Sequence, residues 1–370
     1  MSEILPLTSL RFIAAFYVFI FHIHIRWPLT NHHFLNKFFL EGAVGMSLFF
    51  ILSGFILYYR YHQIEFTPKR VGNYVLHRFS RIYPIYLLAA ISTLPWIGIS
   101  FEEVGISATL LYIGRLLFII FTNIFLLQAW FPQLFDYWNN GGSWSISVEA
   151  FFYTLFPFIQ NLINKFQLKQ ILLVGFIAYI FTILFGISYI LFPKDYAIRL
   201  VYSMPIFRLP EFIIGIVAAV ISVKYHNHKI NYPLIFYFST FIIIFYLAFC
   251  GKTNSGYLVH NFIIVPLITL IIYSAAHCKS GLVYKLLSLK PLVILGHASY
   301  SFYSLQALLV LYIAPNYNKI VGNLPFWSKS SVFLFILFCC LSLMSLLSYY
   351  LIEEPVRLFL NKKLANKIKL

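Results

Sequence analysis

An arginine and a histidine on one helix face are the first residues in this chain whose types and spacing suggest chemistry. Arg11 and His22 stand eleven positions apart within a single apolar run. At about 100° per residue that spacing returns to the same face after three turns, with about 16 Å of axis between the two side chains. Ionisable groups at membrane depth are costly and are functional candidates by default. A neutral imidazole there can take a proton from an attacking hydroxyl, and a guanidinium nearer the start of the run can hold an anionic donor. A structural histidine bonded to a neighbouring helix, with an arginine anchored at the interface, would use the same two residues. His24 faces elsewhere, so His22 and His24 form no metal pair, and no metal is expected.

Three further clusters carry charge. In His77-Arg78-Phe79-Ser80-Arg81 the two arginines stand three apart and face the same way on a helix. Neighbouring guanidinium forks suit phosphate groups, and cytoplasmic anchoring of a span would explain the same pair. In Gly141-Gly142-Ser143-Trp144-Ser145-Ile146-Ser147-Val148-Glu149 a glycine turn is expected to lead into a helix capped by Ser143. Glu149 then falls in the second turn. It can orient His22, bind a substrate hydroxyl, or pair with Arg208 or Arg115 near a helix end. Arg208 and Glu211, three apart, can neutralise each other. Gly45, Ser53 and Gly54 are small enough to let helices touch.

The elements that position these groups are membrane helices. The 370 residues are 61% hydrophobic and 10% charged, with mean hydropathy +0.83. A soluble domain carries roughly 25% charged residues. Apolar runs near the length that crosses about 30 Å of hydrocarbon recur along the whole chain, and in that solvent they must be helices. No strand-period alternation suggests a barrel. The expected architecture is all-α and polytopic, a single domain over 1–370 with no soluble appendage. Its spans are 8–27, 42–60, 79–99, 145–163, 170–192, 201–223, 232–250, 257–277, 292–313 and 331–352. The segment 108–130 is expected to lie on the membrane or re-enter it, within a loop carrying Glu102, Glu103 and the turn-rich 139–142. With both termini cytoplasmic, 17 of the 27 lysines and arginines fall on the inside, as the positive-inside rule requires. That placement accounts for the net charge of +16 through lipid contact and orientation, and no nucleic-acid partner is expected. The four cysteines are unpaired in spacing and read as apolar fillers. No cleavable signal pattern precedes the first span.

Taken in order, these blocks resemble the acyltransferase 3 family of bacterial membrane O-acyltransferases. The likeness runs through Arg11 and His22; Gly45 to Phe55; Arg78, Arg81, Tyr83 and Pro84; Trp144 to Tyr153; Arg208, Glu211, Phe212 and Gly215; and Gly296, Ser299-Tyr300-Ser301, Tyr303 and Glu354-Pro355. Two positions depart from the family pattern. Ser47 stands where many members carry Asp, and Gln306 where many carry His.

The resemblance implies an enzyme of the bacterial inner membrane that moves an acyl group, most often acetyl, from cytoplasmic acyl-CoA to a carbohydrate hydroxyl. The acceptor would be a surface or lipid-linked glycan, such as a lipopolysaccharide O-antigen or exopolysaccharide. His22, Arg11 and Glu149 would be catalytic, and Arg78 and Arg81 would hold the coenzyme A phosphates. Trp144, Ser147, Arg208, Glu211 and Tyr300 would serve the acceptor. A polytopic sugar or glycolipid transporter is the other class compatible with intramembrane charge. It predicts broken helices at corresponding places in two repeated halves, and no repeat is evident.

Overall fold

The computed structural model describes residues 3–98, 106–138, 140–225, 230–251, 258–322 and 325–368. Among the described residues there are helices and no strand. The chain opens with α1 (Leu5–His24), the short α2 (His33–Leu40), α3 (Gly45–Tyr61), α4 (Pro68–Ser92) and α5 (Ile106–Ile124). Next come α6 (Asn140–Ile163), α7 (Leu168–Leu191), the single turn α8 (Lys194–Ala197), α9 (Pro205–Lys224) and α10 (Tyr232–Cys250). Two bent pairs follow, α11 (Asn261–His277) with α12 (Gly281–Leu287), and α13 (Lys290–His297) with α14 (Ser299–Ile313). After α15 (Tyr317–Val321), α16 (Phe326–Ser348) joins α17 (Glu354–Ile368) through a π-helical turn at Tyr349–Glu353.

Seven of the described helices are long and apolar enough to cross a membrane, or nine if each bent pair counts as one span. Ten crossings are reached if α4, which covers 79–92 of the expected span 79–99, is counted with them. α4 has 25 residues, ample length for a crossing. Two of its arginines, Arg78 and Arg81, however, turn into the protein, and hydropathy counts them against the helix wherever they point. The apolar part of α5, Thr109–Ile124, is shorter than the seven. Glu102, Glu103 and Asn139 lie outside the described residues.

Two devices shape the interior. Where α3 crosses α9, glycine faces backbone on both sides: a Cβ at Gly54 would overlap the Phe212 carbonyl oxygen, and one at Gly215 the Ile51 carbonyl oxygen. Apolar helices gain nothing from leaving hydrocarbon for one another, so close backbone approach supplies the dispersion energy that joins them. Phe50, Phe55, Phe152 and Phe212 fill the space around this crossing. The second device is the 68° bend between α13 and α14. Its freed carbonyl at Gly296 accepts a hydrogen bond from Ser299 Oγ at 2.7 Å, which meets the requirement that non-helical backbone at membrane depth be satisfied within the protein. Gly296 itself lies against the Thr8 carbonyl of α1. The expected straight span 292–313 is therefore broken, whereas 257–277 holds as the unbroken α11, with a 95° bend into α12 beyond its end.

Replacing Gly215 by Val should lower the apparent melting temperature of detergent-purified protein by the equivalent of about 1–3 kcal/mol, because α3 and α9 must separate. Gly114→Ala, where a methyl meets nothing within 4 Å, should leave that temperature unchanged or slightly raised.

Candidate active site

Three guanidinium groups from two helices meet near the N-terminal end of α1. Arg78 of α4 is 5% exposed. Its Nη2 donates to Tyr61 Oη at 2.6 Å, and its guanidinium carbon lies 4.9, 5.7 and 5.8 Å from the ring centres of Tyr61, Tyr74 and Tyr153. Such an aromatic cage lowers the cost of a desolvated cation. Arg81, almost one turn on, and Arg11 of α1 join Arg78 in lining two cavities that share all three residues and Ile56. The proximal cavity, about 1200 Å³ of empty space, adds Arg60, His297, Glu353, Glu354 and Arg357. Within it, Arg357 Nη2 is 2.6 Å from Glu354 Oε1, and Glu353 in the π-helical turn accepts from Ser301 Oγ. The central cavity, about 720 Å³, adds Ser145, Glu149, Tyr153, Ser299, Tyr300 and Tyr303.

Glu149 thus shares a cavity with Arg11, Arg78 and Arg81, and not with Arg208 or Arg115 as the sequence suggested. Its Oε1 accepts a hydrogen bond from Tyr153 Oη at 3.1 Å. Nor does it face His22, which lines a different, distal cavity of about 1140 Å³ together with Phe19, Arg26, Trp96, Gly142 and Gln306. Among the described residues no protein group hydrogen-bonds the His22 ring; Arg26 Nη1 donates to its backbone carbonyl at 2.9 Å. His24 is structural, with Nε2 2.8 Å from Asn36 Oδ1 and Nδ1 accepting from the Leu29 amide at 2.9 Å.

Arg11 and His22 therefore do not line one common cavity, although helical arithmetic places them on one face. A thin layer of side chains intervenes. Ser145 Oγ donates to Tyr303 Oη at 2.8 Å, and Tyr303 Oη donates to the Gly142 carbonyl at 3.2 Å. A small fourth cavity touches both sides of this layer, sharing Ile146 with the central cavity and Gly142 with the distal one. α6 already begins at Asn140, so Gly141 and Gly142 form its first turn, and Ser143 lies within the helix instead of capping it.

Of the five residues expected to serve the acceptor, Tyr300 lines the central cavity. The other four line none of the four cavities described here. Trp144 packs 5.9 Å from the Phe50 ring and 4.8 Å from that of Tyr202. Ser147 Oγ donates to the Leu126 carbonyl at 2.5 Å. Arg208 and Glu211 are 0% and 1% exposed and pair at 2.9 Å, with Ser47 Oγ donating to Glu211 Oε1 at 3.0 Å and accepting from Arg208 Nη2 at 3.1 Å. Ser47, the departure from Asp, completes this neutral cluster with a hydroxyl that both donates and accepts.

With the geometry in place, comparison with known proteins supplies the family. The acyltransferase domain, defined by its family of sequences, matches residues 6–351. The chain belongs to that family. Among the similar proteins of this acyltransferase are O-acetyltransferase OatA of Staphylococcus aureus, 25% identical over 95% of this chain and 57% of OatA, and acyltransferase MdmB of Streptomyces mycarofaciens, 27% identical over 58% of this chain and 56% of MdmB. The chain thus spans little more than half the length of OatA. No solved structure matches it.

Sequence reasoning passed over Tyr61 and Tyr74, and met Tyr153 only as the end of a motif, because tyrosine is abundant here, 27 residues in all, and nothing in the spacing marks the cage of Arg78. It also missed Ser145 and Tyr303 as a pair, since they are 158 residues apart. Breaking the Arg208–Glu211 pair by Arg208→Ala should cost about 3–5 kcal/mol by stranding a buried carboxylate. The yield of monodisperse protein in size-exclusion chromatography should fall sharply. Arg208→Met with Glu211→Leu should recover much of it.

Proposed function

We propose that this acyltransferase moves an acyl group, most simply acetyl, from acyl-CoA on the cytoplasmic side to a hydroxyl of a surface or lipid-linked carbohydrate on the other side of a bacterial inner membrane. The observation that carries this reading is the division of labour along α1, with a cluster of guanidinium groups at one end and a cavity-facing imidazole at the other. Coenzyme A is polyanionic with a long, thin pantetheine arm. Arg11, Arg78 and Arg81, with Arg60 at the rim, suit its phosphates, and the narrower central cavity suits the arm. Cations gathered at this end support a cytoplasmic side for it, and for both chain termini, under the positive-inside rule.

The reaction needs one proton moved. An acceptor hydroxyl in the distal cavity gives its proton to the free His22 ring nitrogen while its oxygen attacks the thioester carbonyl. The C–S bond then breaks, and His22 returns the proton to the coenzyme A thiolate. A variant route, in which His22 first carries the acyl group, uses the same atoms. Tyr303 and Ser145 must move for the thioester to pass from the central cavity toward His22. Glu149, set among the cations, tempers their charge and positions Tyr153. Tyr300 is placed to contact the acyl arm, and the carbohydrate is left to the distal cavity.

His22→Ala should lower acetyl transfer from acetyl-CoA by about 10²–10⁴-fold without reducing membrane insertion. Radiolabelled acetyl-CoA with protein in proteoliposomes is the assay, and wild-type rates in that variant would remove His22 from the mechanism. Arg81→Gln should raise the KM for acetyl-CoA about tenfold through loss of a charge-assisted hydrogen bond. An unchanged donor KM would make Arg81 a topological anchor only. A transporter would consume no acetyl-CoA at all.

A further inference from the structure

Gln306 is the most conspicuous polar group that the mechanism above leaves idle. It belongs to α14 and is 4% exposed, yet its amide oxygen Oε1 has no hydrogen-bond partner. A buried, unsatisfied carbonyl of this kind forfeits about 1–3 kcal/mol, so a native protein keeps one for a reason. Gln306 lines the same distal cavity as His22, and the surrounding side chains do not answer it. Phe19, Val310 and Leu311 are apolar, and Arg26 is drawn back to the His22 backbone. Gln306 and His22 line one space, and neither the buried amide oxygen nor the imidazole has a hydrogen-bond partner among the described residues. Together they describe a place for a group with protons to give.

We infer, resting on the acyl-transfer reading above, that Gln306 is the residue that positions the acceptor in the distal cavity, with its Oε1 accepting a hydrogen bond from a sugar hydroxyl beside the one that reacts. A vicinal pair of hydroxyls on a pyranose ring fits such a two-point site, since one O–H meets His22 while its neighbour meets Gln306. Trp96, at the cavity rim and 36% exposed, offers an apolar face on which a sugar ring can lie. The substrate class is therefore a carbohydrate with adjacent free hydroxyls. An isolated primary alcohol would satisfy His22 but leave Gln306 stranded. Sites built to hydrogen-bond a hydroxyl reject analogues that lack it because their own buried groups are then unpaired. Gln306 acts by placing the acceptor; the proton and the acyl group move without it. It is a positioning residue.

The experiment uses full-length protein in proteoliposomes, acetyl-CoA as donor, and surface glycan prepared from a strain lacking the gene and freed of esters by mild alkali. Gln306→Leu, close to isosteric, should raise the KM for this glycan about tenfold, the equivalent of one hydrogen bond to a buried neutral group, while the KM for acetyl-CoA stays put. Gln306→Glu, which keeps an oxygen acceptor at the same reach, should bring the glycan KM back to within about threefold of wild type. An unchanged glycan KM in Gln306→Leu would overturn this inference and leave the acyl-transfer reading standing. Equal increases in both KM values in both variants, or aggregation of both, would make Gln306 a packing residue and overturn it as well. A wild-type protein that consumes no acetyl-CoA would overturn both.

Discussion

Holding Arg11, Arg78 and Arg81 together inside an apolar bundle is the constraint around which the rest of the molecule is arranged. A single cation at the centre of a membrane costs about 2.5–3.5 kcal/mol on insertion scales, and three neighbours of like sign repel one another besides. The protein answers with chemistry that does not cancel the charge. Tyrosine rings surround Arg78, and Glu149 is the single carboxylate among the residues lining the central cavity. Across the two cavities Arg11, Arg60, Arg78, Arg81 and Arg357 face Glu3, Glu149, Glu353 and Glu354. The central cavity, with Glu149 alone beside the three shared arginines, is the more positive part of a space where attraction for an anion is far stronger than in water.

The Arg208–Glu211 pair shows the opposite solution a short distance away. There the charges match one for one, Ser47 and Asn261 donate to the carboxylate, and Phe50 and Tyr202 cover the guanidinium at 5.1 and 5.2 Å. A charge-balanced cluster of this kind ties α9 to α3 beside the Gly54 and Gly215 contacts. Two buried arginine sites on one scaffold therefore differ in the balance of their counter-charges. That balance separates a site left open to a ligand from a strut.

Much of this was legible in the sequence, for definite reasons. Helical arithmetic on Arg11 and His22, and on Arg78 and Arg81, needs only a regular repeat, and α1 and α4 are regular through those residues. The all-α architecture follows from composition, because hydrocarbon permits little else. What escaped lies where the backbone departs from regularity or where partners are remote in the chain. The bend at Ala298 that brings Ser299, Tyr300 and Tyr303 to the central cavity is invisible in a run that reads as one span. The helical start at Asn140 defied two glycines, and Tyr303 donates to the carbonyl of the second, Gly142. Glu149 could be placed beside a cation from cost alone, but its choice of Arg11, Arg78 and Arg81 over Arg208 and Arg115 depended on how α1, α4 and α6 pack. Gln306 was visible only as an oddity of type, and its neighbourhood with His22 gives it meaning.

The layer formed by Ser145, Ile146 and Tyr303 has an electrical consequence. Wherever water fills the cavities on its two sides, the potential of the adjoining solutions is carried inward, and the voltage across a membrane then falls over this layer instead of the full hydrocarbon thickness. The local field is accordingly steeper than elsewhere in the bilayer, and a charged group displaced through even a few ångströms there experiences a large part of the total drop, up to about 2.3 kcal/mol per elementary charge for 100 mV. An uncharged acyl group would cross such a layer at no electrical cost, whereas a charged one would feel the full step.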